Sequence, residues 1–407
     1  MNRSSLASRT GTLFSGLALA AFSASFAAQT PQTLPTARLI AVQSVDSVDT
    51  VSFPALDRDW LAIDDAARQE EDLPPRYAIV NDVDVTPESA GTWEAVGEDS
   101  LLWRYRIRAD AATSINLGFT RYVMPPGGRL FVYPAHDDLD TRGPFTEADN
   151  ETHGQLWVPL VRANDIVVEV TIPASERGEL GLVLGAIGQG YRTFGTNGPT
   201  AVPESGSCNL DVECLDAGDP WRDPMRSVAN ISTGGSTFCT GSLINDAAND
   251  HKMYFITANH CTINAGNAPS LVAFWNYQNS FCRTPGSGPS GQAGDGSLAQ
   301  FHTGSFFRAA SAASDFTLVE LDDPPVPAFN HFWEGWNRNT GNIVCSGGAP
   351  CAGIHHPNND EKRITYSLTD MVPSSWSSTP PPTPGDGTHL WVHWATDPPG
   401  PFTVPGV

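Results

Sequence analysis

The sequence predicts an all-β protein, and three observations carry that expectation. Short apolar runs recur between turn clusters such as Pro125-Pro126-Gly127-Gly128. Gly and Pro number 37 and 33 in 407 residues, a density of breakers that suits strands and turns rather than helical bundles. From Trp103 to Arg108 apolar residues and arginines alternate, the pattern of a half-buried strand.

Taken in order, the chain opens with Arg3 and Arg9, an apolar run over 13–22, and the small residues Ser25 and Ala27. This is the pattern of a secretory signal over 1–27, cut after Ala27. The run is shorter than the ~20 apolar residues of a membrane span. The reading therefore expects export, extracellular or periplasmic, into an oxidising space, with no membrane partner. Residues 28–73 are acidic with weak periodicity, and Glu70-Glu71-Asp72 reads as a solvated face. Strands are expected over 101–108, 114–124, 129–133, 155–160, 165–172 and 180–187, spaced as in a β-sandwich of jelly-roll type. Residues 193–207 are rich in Gly, Pro and Ser and read as a linker or processing site. Further strands are expected over 227–231, 239–244, 253–257, 271–275, 316–321 and 388–394.

The formal charge of −22 argues against nucleic acid and anionic lipid as partners, since both need clustered Lys and Arg. Hydrophobic residues at 40% support a packed core rather than disorder. Lys252 and Lys362 are the sole lysines among 23 basic residues. That imbalance reads either as a compositional bias or as protection from a lysine-cutting activity.

Two stretches carry chemistry. Cys239-Thr240-Gly241-Ser242-Leu243-Ile244 is followed by Tyr254-Phe255-Ile256-Thr257-Ala258-Asn259-His260-Cys261, in which a strand delivers a histidine into a turn. In Ser314-Asp315-Phe316-Thr317-Leu318 an acid heads an apolar strand, where a carboxylate needs a partner. Together they suit a serine relay. A hydroxyl is a poor nucleophile near neutral pH, so His260 would take its proton, and Asp315 would fix the imidazole tautomer. No metal or cofactor is expected: His355, His356, His389 and His393 have no Cys or carboxylate at usable spacing. Trp275, Trp333, Trp336, Trp391 and Trp394 read mainly as core or cover.

These residues resemble the trypsin-like serine proteases of the chymotrypsin fold, whose chain order is His, Asp, Ser. The likeness is closer to the bacterial lysyl endopeptidases. It is carried by Ser207-Cys208-Asn209-Leu210-Asp211-Val212, Phe274-Trp275-Asn276-Tyr277-Gln278-Asn279, Phe332-Trp333-Glu334-Gly335-Trp336, Gly353-Ile354-His355-His356-Pro357 and Glu361-Lys362-Arg363-Ile364. The resemblance implies a β-rich prodomain over 28–204, then a trypsin-like protease domain over 205–407 built as a double β-barrel. It pairs Cys239 with Cys261 and Cys214 with Cys282, and places Trp376 beside the active-site histidine. It implies a protein or peptide substrate, with the prodomain as partner of the protease domain.

One departure matters most. No Gly-x-Ser-Gly follows Asp315. Gly234-Gly235-Ser236 and Pro289-Ser290-Gly291 come too early, and Ser346-Gly347-Gly348 follows Val344-Cys345 and precedes the His355-His356-Pro357 stretch. The expectation is a precursor cut short before its serine, its second barrel incomplete and the chain inactive as it stands. Seven cysteines agree with this. Cys345 and Cys351 lie close enough for a local bridge, which leaves Cys208 unpaired. The alternative is a non-catalytic secreted binding protein with a β-sandwich and a protease-like scaffold.

Overall fold

The computed structural model describes residues 33–137, 140–192, 205, 209–283, 294–338, 341–345, 350–375 and 385–395. The expected signal segment 1–27 and most of the linker 193–207 lie outside them. So do Cys208, Ser290, Ser346 and Trp376. Strands dominate, as the all-β reading requires. No described helix is long and apolar enough to cross a membrane.

Two sheets are built from residues 50–190. One runs in the order Thr50–Phe53, Ser100–Ala109, Asp165–Pro173, Arg129–Pro134, Arg142–Phe145, with Thr92–Val96 also paired to Ser100–Ala109. The other runs Ala78–Val85, Gly181–Gly190, Ile115–Val123, Leu156–Val161. Alternate residues of both meet in one core: Trp103, Tyr105, Ile107, Val168 and Val170 from the first, Leu117, Phe119, Val158, Leu184 and Ile187 from the second. Period-two burial of β-branched and aromatic side chains is what holds such a pair of sheets together.

The half-buried expectation for the strand at 101–108 is overturned. Arg104 and Arg106 are buried on its outer face. The cause is the chain before Thr50, which covers that face. Arg104 donates to the Gln43 carbonyl at 2.8 Å and pairs with Glu94. Arg106 pairs with Asp165 at 2.8 Å and Asp46 at 2.9 Å. Buried guanidinium groups persist only with such partners.

A helix, Arg58–Glu70, adds to the expected elements. Asp57 caps it, accepting from the amides of Asp59 and Trp60. Of its apolar residues Leu61 is buried, whereas Trp60 and Ile63 are exposed, so its hydrophobic periodicity is weak.

Residues 228–321 form a seven-stranded sheet in the order Phe301–Thr303, Val272–Trp275, Val228–Thr233, Thr237–Leu243, Tyr254–Thr257, Phe316–Leu321, Ser305–Ser311. Its two edge strands are separated only by Gly304, which has φ +83°. The chain bends there, and the sheet curls back on itself. Inside lie Ala229, Ile231, Leu243, Phe255, Trp275, Val319 and Leu321. A third core of Tyr77, Ala78, Leu160, Phe238, Phe274 and Tyr277 joins the early and late parts of the chain. Leu210–Asp211, Arg363–Ser367 and Cys351–His355 make a small sheet, and Val372–Ser374 pairs with His389–Trp391.

The tryptophans divide. Trp275 is buried, but Trp336, Trp391 and Trp394 are exposed. Trp394 serves as cover, its ring lying over Gly353 where a Cβ would have no room.

Candidate active site

Strand Tyr254–Thr257 runs into the turn Asn259–Cys261 and sets His260 at its end. The turn is held at three points. The Thr257 hydroxyl donates to the Thr240 carbonyl at 2.7 Å. Cys261 is bonded to Cys239 on the neighbouring strand. Thr262 closes the turn in the left-handed region, at φ 59°.

Phe316–Leu321 pairs antiparallel with Tyr254–Thr257, Thr317 opposite Thr257. That register brings Asp315, one residue before the strand begins, opposite the histidine turn. Its backbone is left-handed, φ 49°, a conformation Asp tolerates better than most residues. The His260 amide donates to Asp315 Oδ1 at 2.9 Å, and His260 Nδ1 lies 2.8 Å from Oδ2. A carboxylate only accepts, so Nδ1 carries the hydrogen. That leaves Nε2 as the basic nitrogen of the neutral ring. The imidazole is half-exposed and Asp315 less so. A partly desolvated carboxylate is suited to stabilise an imidazolium as it forms.

The pair lines a cavity of about 480 Å³ with Asn259, Ala312 and His389. The opposite wall comes from far away in sequence: Gln69, Asp72, Leu73, Pro74 and Pro75. Among the described residues no serine or threonine lines this cavity. Ser236 is engaged elsewhere, donating to the Ala78 carbonyl at 2.7 Å. Cys239, His260 and Cys261 come close enough together to suggest a metal. Their sulfurs are joined to each other, so no thiolate is left to ligate one.

The Cys214–Cys282 and Cys345–Cys351 bridges are formed. Behind the site His356 is fully buried against Tyr277, with Nδ1 3.0 Å from the Asp360 carbonyl oxygen. Burial holds its ring well below the usual imidazole range. Beside it Arg283 and Arg363 pair with Asp211 and Asp360. Buried Lys362 donates to the Met225 carbonyl at 2.7 Å, and burial brings its pKa down to about 7. His356 and Lys362 are core groups.

Residues 202–398 match the family model of the lysyl endopeptidase C-terminal domain. The chain is lysyl endopeptidase-like. The lysyl endopeptidase of Pseudomonas aeruginosa is 26% identical to it over 241 residues, covering 55% of this chain and 48% of that protein. The lysyl endopeptidase-like chain thus spans about half the length of the curated relative it matches. The matched region contains both His260 and Asp315 and the buried charge cluster behind them.

The wall over 69–75 is the part of the site that sequence reasoning missed. Its residues carry no catalytic chemistry, and the contact joins segments far apart along the chain. His389, weighed above only as a metal ligand, lines the cavity instead.

Proposed function

We propose that residues 205–407 belong to the catalytic domain of a secreted serine endopeptidase selective for lysine, with His260 as general base and Asp315 as the acid that orients it. The observation that carries this reading is the double hydrogen bond from His260 to one carboxylate, in the lining of a cavity of about 480 Å³. The lysine preference is supported by the family match and by the scarcity of lysine in the chain. In the reaction a serine hydroxyl loses its proton to His260 Nε2 and attacks the scissile carbonyl. The imidazolium, stabilised by Asp315, then passes that proton to the leaving amine.

In this reading residues 1–27 are a signal peptide and residues 28–204 a jelly-roll-like prodomain that keeps the protease inert or helps it fold. The curled sheet is the first of two barrels, and the second is completed by sequence that also supplies the serine. No lysine precedes Lys252, so if the prodomain is removed near 202–205, either a different protease does it or the specificity is not for lysine.

The test is the coding sequence beyond the Val407 codon together with the cleavage preference of the secreted product. An in-frame Gly-x-Ser-Gly and cuts after lysine are expected. A stop codon with a stable, proteolytically inert product would favour the binding protein instead.

A further inference from the structure

Between the helix Arg58–Glu70 and the strand Ala78–Val85 the chain forms the cavity wall opposite His260. Leu73, Pro74 and Pro75 share its cavity, and the passage is fastened by main-chain bonds. The Phe238 amide donates to the Pro75 carbonyl at 3.0 Å, and the Tyr77 amide donates to the Ser236 carbonyl at 2.8 Å. Arg76 and Thr237 form an antiparallel bridge between those bonds. Strand Thr237–Leu243 pairs with Tyr254–Thr257 only at Gly241, Ser242 and Leu243. Its first residues therefore present an edge on that side, and residues 75–77 lie on it as an added strand. Edge addition of an extended segment is a general mode of peptide recognition.

The same segment is tied to the helix. The Arg76 guanidinium pairs with Asp64 and Asp65. Arg68 donates to the Pro74 carbonyl at 3.0 Å and accepts at its own carbonyl from the Leu73 amide at 3.0 Å. The Pro74 and Pro75 nitrogens carry no hydrogen, and no lysine occurs before Lys252. A lysine-selective hydrolase finds no bond to cut in this segment, although its backbone lines the same cavity as His260.

We propose that residues 73–77 are a resident peptide plug. Through the edge pairing of 75–77 to 236–238 they hold a docking groove for extended peptides at the His260 cavity, and the helix Arg58–Glu70 keeps them there through Asp64, Asp65 and Arg68. This rests on the serine endopeptidase reading and assigns the regulation of that site. Releasing the helix fasteners opens the groove to a peptide supplied from outside. With the plug tethered, its high local concentration excludes such a peptide.

The test uses the full 407-residue chain and an end-blocked, fluorescein-labelled peptide with the sequence of residues 71–79, read by fluorescence anisotropy. The parent is compared with Asp64→Asn/Arg68→Ala and with Arg68→Ala alone, neither of which alters the groove or the plug. The double variant is expected to bind at least about tenfold more tightly than the parent, and Arg68→Ala about threefold. The His260 Nδ1 proton resonance is recorded in the same samples. Equal affinity for parent and double variant, with that resonance intact, overturns the plug and leaves the protease reading standing. Absence of the resonance from the parent overturns the protease reading instead. If the double variant does not fold, Arg68→Ala decides: no gain in affinity overturns the plug.

Discussion

His260 engages both oxygens of Asp315, its amide nitrogen meeting Oδ1 at 2.9 Å and its ring Nδ1 meeting Oδ2 at 2.8 Å. One bond fixes where the carboxylate sits, and the other fixes which ring nitrogen carries the hydrogen. Each partner sits in a turn at the end of one of two paired strands, so sheet register sets how far apart those turns lie.

That register depends on Gly241. A Cβ there would lie 2.2 Å from the Phe255 ring and 2.6 Å from the Ile256 carbonyl oxygen. The oxygen belongs to the paired strand and cannot move aside without opening the ladder. Gly241→Ala is therefore expected to lower stability by about 1–3 kcal/mol, read from urea midpoints. An unchanged midpoint would show that the strands have room to separate.

The Cys239–Cys261 bridge closes a span of 22 residues next to His260. Loop-closure entropy puts its contribution at about 3 kcal/mol. Cys239→Ser/Cys261→Ser should lower the unfolding free energy by that order. It should also loosen the histidine turn, seen as faster amide exchange at Cys261 and Thr262, both of which donate within the turn.

Asp323 gives a pH dependence. Burial, followed by repulsion from Asp322, Asp149 and Glu151, holds its carboxyl up at about 7 although its amide partner Thr303 acts the other way. The folded chain keeps a proton that the unfolded chain has lost above its ordinary value of 3.8. Stability from this group is fully present below that value and is lost as the pH rises through about 7. Asp323→Asn should flatten the fall in urea midpoint between about pH 5 and about pH 7.5. A variant that falls as steeply as the parent would contradict it.

The candidate site was legible where chemistry and strand pattern coincide. His260 follows an apolar strand and adjoins a cysteine, and Asp315 heads the apolar run Phe316–Leu321. Short apolar runs between turn clusters likewise marked most strands of both halves. What escaped depends on long-range cover. Arg104 and Arg106 look solvent-facing until residues 43–46 are folded over them. The helix Arg58–Glu70 buries Leu61 alone and works mainly through the charges of Asp64, Asp65 and Arg68, which leave no hydrophobic stripe to read. Residues 75–77 pair with 236–238 through main-chain atoms, which any sequence offers.

The central claim is tested most directly by proton NMR of the ¹⁵N-histidine-labelled chain near neutral pH, parent against Asp315→Asn. The account predicts a hydrogen-bonded proton on His260 Nδ1 in the parent and loss of that signal in the variant. A parent ring protonated on Nε2 alone, or spectra that do not differ between the two chains, would contradict it.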